Sequence, residues 1–167
     1  DVLLKLVVDS MIAAIGARTG VLVRTEAGSI EAVIRRSADG QDLAPEDLSL
    51  STRIAREVAK TGRAVCLEDA KADIEWRQSD SVVERGLRSV LCVPLRQFER
   101  SIGAIFLENT DQPGAFKVED QEIAAILAEQ AAIAIGNAEL RRRCDTDALT
   151  GLHTHAATQA VQHQGLL

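Results

Sequence analysis

Aromatic residues are nearly missing from this 167-residue chain: Trp76, Phe98, Phe106 and Phe116 are the whole set, and there is no tyrosine. Without rings spread along a surface, there is no platform on which single-stranded bases could stack. Histidine is missing from everything before His153, with only His155 and His163 following it. No Ser or Cys nucleophile in the body of the chain therefore has a His partner. Cysteine is scarce and scattered, at Cys66, Cys92 and Cys144, with no C-x-x-C; that excludes a disulfide framework and a zinc site and leaves reduced thiols, the first two placed in buried strands. Positive charge is short too. The formal net charge is -6 and the only basic run is Arg141-Arg142-Arg143, whereas binding a phosphate backbone needs clustered Lys and Arg. No apolar run reaches the roughly 20 residues that span a bilayer, and the opening "DVLLKLVVDS" lacks the basic front and small-residue cleavage site of a signal peptide. The expectation is a soluble, cytoplasmic protein with neither nucleic acid nor membrane as partner.

What is there is an apolar content of 46%, enough for a core. Leu3, Leu4, Val7, Val8, Met11, Ile12 and Ile15 recur at helical spacing and predict an amphipathic first helix, with Gly16 and Gly20 bracketing its end. "GVLVRTEAGSIEAVIRR" reads as a hairpin turning at Glu26-Ala27-Gly28, and "SADGQDLAPEDLSL" as a loop. Ser51 can cap a helix through "TRIAREVAK" that Gly62 stops, and "AVCLED" is a short strand. A long polar segment from Ala70 to Gly86 holds Trp76 and a short helix near Ser81 to Arg85; such loops in compact domains are often functional. "LRSVLCVPLRQFERSIGAIFLEN" is a second hairpin with its tip at Glu99-Arg100-Ser101, apolar on nearly every position and so covered on both faces. A last helix from Val118 to about Cys144 starts acidic and ends in arginines, as its dipole prefers. The fold class is α+β, a largely antiparallel sheet between helical layers.

Four pieces in this order, "SLSTRIAREVAKTGRAVCLEDA", "SVVERGLRSVLCVPL", "SIGAIFLEN" and "FKVEDQEIAAILAEQAAIAIGNAEL", resemble a GAF domain, the small-ligand sensor module of bacterial signalling proteins, over residues 1–140. Residues 141–167 read as a linker and a truncated start of a second domain. There Asp147, Leu149, Thr150, Gly151 and Leu152 resemble the opening of a GGDEF domain, the diguanylate cyclase module. Thr154, Ala156 and Thr158 stand where that family usually has Asn, Arg and Phe, and the loop that holds GTP and metal in such cyclases is absent from the chain.

The GAF resemblance implies a ligand pocket between the sheet and the 70–86 segment, lined by Asp69, Trp76, Arg88, Ser89, Leu91 and Phe106. Trp76 offers a flat apolar wall with one N–H donor, and Arg88 can pair with a carboxylate or phosphate. The alternative is that Trp76 lids a filled core and Arg88 is merely exposed. Without histidine in the domain, neither a proximal haem ligand nor the Cys-His pairing that accompanies covalent bilin is available, and the expectation is no cofactor. Asp69, Asp73, Glu75 and Asp80 are the material for a metal site or, more simply, a solvated face; no metal is expected. The N-K...F-x3-D-E pattern of cyclic-nucleotide-binding GAF domains is matched at Asn109, Phe116 and Asp120 but broken by Thr110 and Gln121, so cyclic nucleotide is not favoured. Cys92, between Leu91 and Val93, reads as a small buried hydrophobe with an inert thiol.

From Ile123, alternating steps of three and four give Ile126, Gln130, Ile133, Asn137, Leu140 and Cys144, a heptad seam. The expectation is a parallel homodimer through Ile126, Ile133 and Leu140, joined by Leu4, Val8, Met11 and Ile15 of the first helix, while Leu127, Ala131, Ala134, Ile135 and Ala138 face the sheet. The chain itself is not expected to be an enzyme. It reads as a regulatory module that binds a small molecule and relays the signal to a diguanylate cyclase domain it does not contain; the alternative is a passive dimerisation scaffold without ligand.

Overall fold

The computed structural model describes residues 2–26, 29–44, 52–78, 82–83 and 86–163. The chain divides into two compact units, Asp1–Ile133 and Ala134–Leu167. The elements are α1 (Val2–Ile15), β1 (Thr19–Glu26), β2 (Ser29–Ser37), α2 (Thr52–Thr61), β3 (Val65–Leu67), β4 (Ser89–Gln97), β5 (Arg100–Asn109) and α3 (Val118–His163). They come in the order the hydrophobic pattern predicts. The strands form one five-stranded sheet in the order β2-β1-β5-β4-β3, antiparallel at every junction.

Alternation along β1, β4 and β5 sorts their side chains onto two faces. Val21, Val23, Val90, Cys92, Ala104 and Phe106 join Ile54, Ala55 and Val58 of α2 in one buried cluster. The intervening Leu22, Leu91, Val93, Ile105 and Leu107, also buried, point to the opposite face. There α1 lies so close that a Cβ on Gly20 would meet Val8 Cγ1 at 2.8 Å and Ile12 Cγ1 at 3.0 Å, so only glycine fits at that strand position. Gly62 ends α2 as predicted: its φ of 67° is left-handed, and its N–H donates to Val58 O at 2.9 Å.

The first helix departs from the dimer expectation. Leu4, Val8, Met11 and Ile15 are 5%, 0%, 1% and 8% exposed, spent on the sheet rather than offered to another copy. The cause lies in the apolar second face of the sheet, which needs cover; a tethered helix supplies it without the entropy loss of association. On α1 only Val2 and Leu6 are large apolar residues left exposed.

The β4–β5 turn is also displaced. Gln97 pairs with Arg100, so the tip is Phe98-Glu99 rather than Glu99-Arg100-Ser101, because an irregularity between Leu95 and Arg96 shifts the register. Ala27, Gly28 and the capping Ser51 lie outside the described residues; of the short helix near 81–85, Val82 and Val83 are described and helical.

In the first unit, α3 starts with a backbone cap: Asp120 Oδ2 accepts the Lys117 N–H at 2.8 Å, while Glu119 and Asp120 occupy the first turn. Ala124, Ala128 and Ala132 are fully buried. Ile123, Ile126 and Ile133, on the other side of the helix, are 50%, 62% and 50% exposed. Against the expectation that no stretch could span a bilayer, Val118–Thr146 is long and apolar enough by length and composition alone. Its buried alanines are those of a core helix. In the second unit the helix continues to His163, past the predicted end at Cys144, with Leu140 and Arg141 to Arg143 exposed.

Candidate functional site

After β3 the chain winds through a series of turns organised by two aspartates. Asp69 Oδ1 accepts the Lys71 N–H at 3.2 Å, and Asp73 Oδ1 accepts those of Glu75 at 2.9 Å and Trp76 at 3.0 Å. The segment is tied to the sheet at Ala70, whose N–H donates to Arg88 O at 2.8 Å, and Arg88 N–H donates on to Asn109 O at 3.0 Å. Ala70, Trp76, Val82 and Leu87 then enter the same buried cluster as Phe106. Ala70, Trp76 and Val82 of the 70–86 segment therefore pack directly on the sheet. Trp76 is 5% exposed, and the guanidinium of Arg53 sits 5.1 Å from its ring centroid.

The predicted lining divides into three places. Asp69 and Arg88 meet at the surface, Nη2 to Oδ2 at 3.5 Å, with side chains 32% and 30% exposed. Arg88 Nε is buried without a hydrogen-bond partner. Trp76 and Phe106 share the α2-side core. Leu91 lies on the opposite sheet face, paired with Leu107, and Ser89, fully buried, serves the backbone: its Oγ donates to Leu67 O at 3.1 Å and accepts the Phe116 N–H at 3.1 Å.

Other sequence candidates have local employment. Asn109 Oδ1 accepts the N–H groups of Asp111 at 2.9 Å and Gln112 at 3.4 Å, and Asp120 caps α3, so both matched polar positions of the cyclic-nucleotide pattern are engaged by nearby backbone. Among the described residues no group of three His, Cys, Asp or Glu could hold a metal ion; Asp80 lies outside them. Cys92 is fully buried and burial pushes its thiol well up, while burial followed by the nearby Glu68 carboxylate pushes Cys66 to about 11. Both thiols are poor nucleophiles near neutrality.

Two further features join residues far apart in the sequence. Arg35 Nη2 and Glu108 Oε1 form an ion pair at 3.2 Å with side chains 10% and 5% exposed; the signal was a charge at an apolar strand position in both "AVIRR" and "IFLEN". The second is a cleft of about 690 Å³ walled by Ala64, Pro94, Arg96 and Phe98 on one side and by Ala125, Glu129 and Ile133 of α3 on the other. Its parts come from distant stretches that no local pattern joins.

A family model described as GAF domain matches residues 1–136. Among solved structures, GAF3 of Slr1393 from Synechocystis sp. PCC6803, in its photoproduct state, has a TM-score of 0.66 at 15% identity, covering 83% of this chain and 94% of that one. The GAF domain/HD domain protein of Geobacter sulfurreducens gives 0.60 at 18%, covering 83% and 92%. The GAF domain of an Acinetobacter phosphoenolpyruvate-protein phosphotransferase gives 0.64 at 18%, covering 84% of each. At these identities the likeness is one of fold. No curated protein matches the sequence.

Proposed function

The chain belongs to the GAF domain family, and from that premise we propose that it is a sensor that binds a small molecule and relays its state through a dimeric helix to a downstream diguanylate cyclase domain. GAF domains are regulatory signalling modules. The observation that carries the reading is α3. One helix begins at Val118, packs Ala124, Ala128 and Ala132 into the sensor core and runs to His163, through the Asp147 to Leu152 stretch that resembles the start of a cyclase module. Helices that pair along a seam can pass on a rotation or shift where two discrete arrangements of the pair exist. The exposed Ile126 and Ile133, with Leu140 at 56% exposure, supply a surface on which two such helices can meet, and Gln130 and Asn137 among them make the seam loose enough to shift.

Arg88 is the residue for the ligand. Its guanidinium is partly exposed, held among the described residues by a long contact to Asp69, and keeps an unused buried donor at Nε, so an anionic group could take both. The ligand class is therefore a small metabolite bearing carboxylate or phosphate. A thermal-shift screen of nucleotides, amino acids and organic acids tests this. Ligand at a hundredfold excess over Kd stabilises by about 2.7 kcal/mol, or roughly 5–10 °C for a domain of this size, and Arg88→Ala should abolish the shift.

A second reading, a dimerisation scaffold without ligand, is favoured by the filled interior: Phe106 and Leu91 are fully buried and Trp76 almost so. A screen in which nothing shifts the melt supports it.

A further inference from the structure

The cleft beside Phe98 is bordered by a solvent-exposed aromatic ring. Phe98 is 94% exposed and has a φ of 55°, a left-handed conformation in a two-residue hairpin turn where glycine is the ordinary choice. A bulky side chain there is strained, and with so little of it covered, nothing in the chain itself repays the strain by burying the ring.

The open edge of β4 does not explain it. β3 begins only at Val65, opposite Cys92, which leaves Pro94 on an edge without a neighbouring strand, and proline has no N–H to give an added strand. Side chains, rather than a strand, are what the cleft can receive. Arg96 and Glu129 in its walls have no ion-pair partner among the described residues.

Helix geometry says which side chains. Taking Ile126 as outward, Ala125 and Glu129 lie on the cleft side of α3, and Ile123 and Leu127 on the other. In a parallel twofold dimer meeting at Ile126 and Ile133, the cleft side of one helix stands opposite the Ile123 and Leu127 side of its partner. We infer that the cleft is half of a site completed by a second copy of this chain, with Phe98 packed on the partner's Ile123 and the partner's Leu127. This rests on the parallel-dimer reading above and explains how such a dimer reaches sufficient area. Three half-exposed seam residues offer a few hundred Å², whereas a stable interface takes about 800 Å² per partner. Two copies of Phe98, Ile123 and the cleft walls add apolar surface symmetrically, and they couple the sheet hairpin of each protomer to the helix of the other.

The test uses disulfide trapping of the whole chain with copper phenanthroline as oxidant. Native Cys144, exposed and on the seam by its spacing, reports the parallel helices by forming a covalent dimer. In a Cys144→Ser background, Phe98→Cys combined with Ile123→Cys should give a covalent dimer on a denaturing gel, and neither substitution alone should. Phe98→Gly, which relieves the left-handed strain, should leave the circular dichroism unchanged and raise the dimer dissociation constant at least tenfold. If Cys144 links but the Phe98→Cys/Ile123→Cys pair does not, or if Phe98→Gly dimerises as the wild type does, the inference is overturned and the dimer reading stands. If Cys144 fails to link, the parallel seam falls and the inference with it.

Discussion

Arg36 grips Asp9 with both arms of its guanidinium, Nε to Oδ1 at 2.9 Å and Nη2 to Oδ2 at 2.8 Å, while Nη1 reaches Asp42 Oδ1 at 2.7 Å. Lys5 Nζ completes the group on Asp42 at 2.5 Å. This pins α1 to β2 and to the loop beyond it. The Lys5 and then the Arg36 hydrogen bond hold the Asp42 carboxyl below the usual carboxylate range. Because the folded value is the lower one, the unfolded chain binds the proton more readily. The contribution is whole above the unfolded pKa of about 4 and is lost as pH falls through the folded value. The melting temperature should fall below about pH 4, and Asp42→Asn should flatten that fall; an acid limb identical in the variant would contradict the assignment.

Ser89→Ala removes a hydroxyl that donates to one backbone and accepts from another. Left unpaired and buried, the Phe116 N–H and Leu67 C=O should cost about 1–3 kcal/mol. Thermal denaturation measures the loss as roughly 2–4 °C per kcal/mol. A neutral substitution would mean that the link from β4 to the start of α3 is dispensable.

The thiols should separate by burial. A thiol-specific chromogenic reagent at neutral pH should label Cys144 at once, Cys66 slowly and Cys92 only after unfolding, in line with their exposed, intermediate and buried placement. Mass mapping of the labelled peptides gives the order directly.

Ile126→Glu with Ile133→Glu should yield a folded monomer. Both side chains are half or more exposed, so the charges leave the sensor fold intact, while two pairs of like charges desolvated across a seam cost several kcal/mol of association. Sedimentation velocity at tens of micromolar, together with circular dichroism, checks both halves. A double variant that still dimerises would place the interface elsewhere.

Where a pattern was local, the sequence revealed it. The order of helices and strands, the stop at Gly62 and the two-sided burial of β4 and β5 follow from side-chain period and turn chemistry over a few residues. What stayed hidden depends on competition between distant surfaces. The apolar stripe of α1 suits a partner helix or a sheet equally well, and only the fold shows that Leu22, Ile105 and Leu107 leave a face for it to cover. The candidate lining spans both faces of the sheet, because strand alternation sends Leu91 and Phe106 opposite ways. The Arg35–Glu108 pair and the Phe98 cleft join stretches far apart in the chain.

Native mass spectrometry of the purified chain tests the central proposal most directly, since it weighs both the oligomer and anything retained in it. The account predicts a species at twice the 18.0 kDa of the chain, carrying the added mass of a small acidic metabolite that Arg88→Ala loses. A bare chain mass with no adduct, unaltered by the variant and by added metabolites, would contradict it.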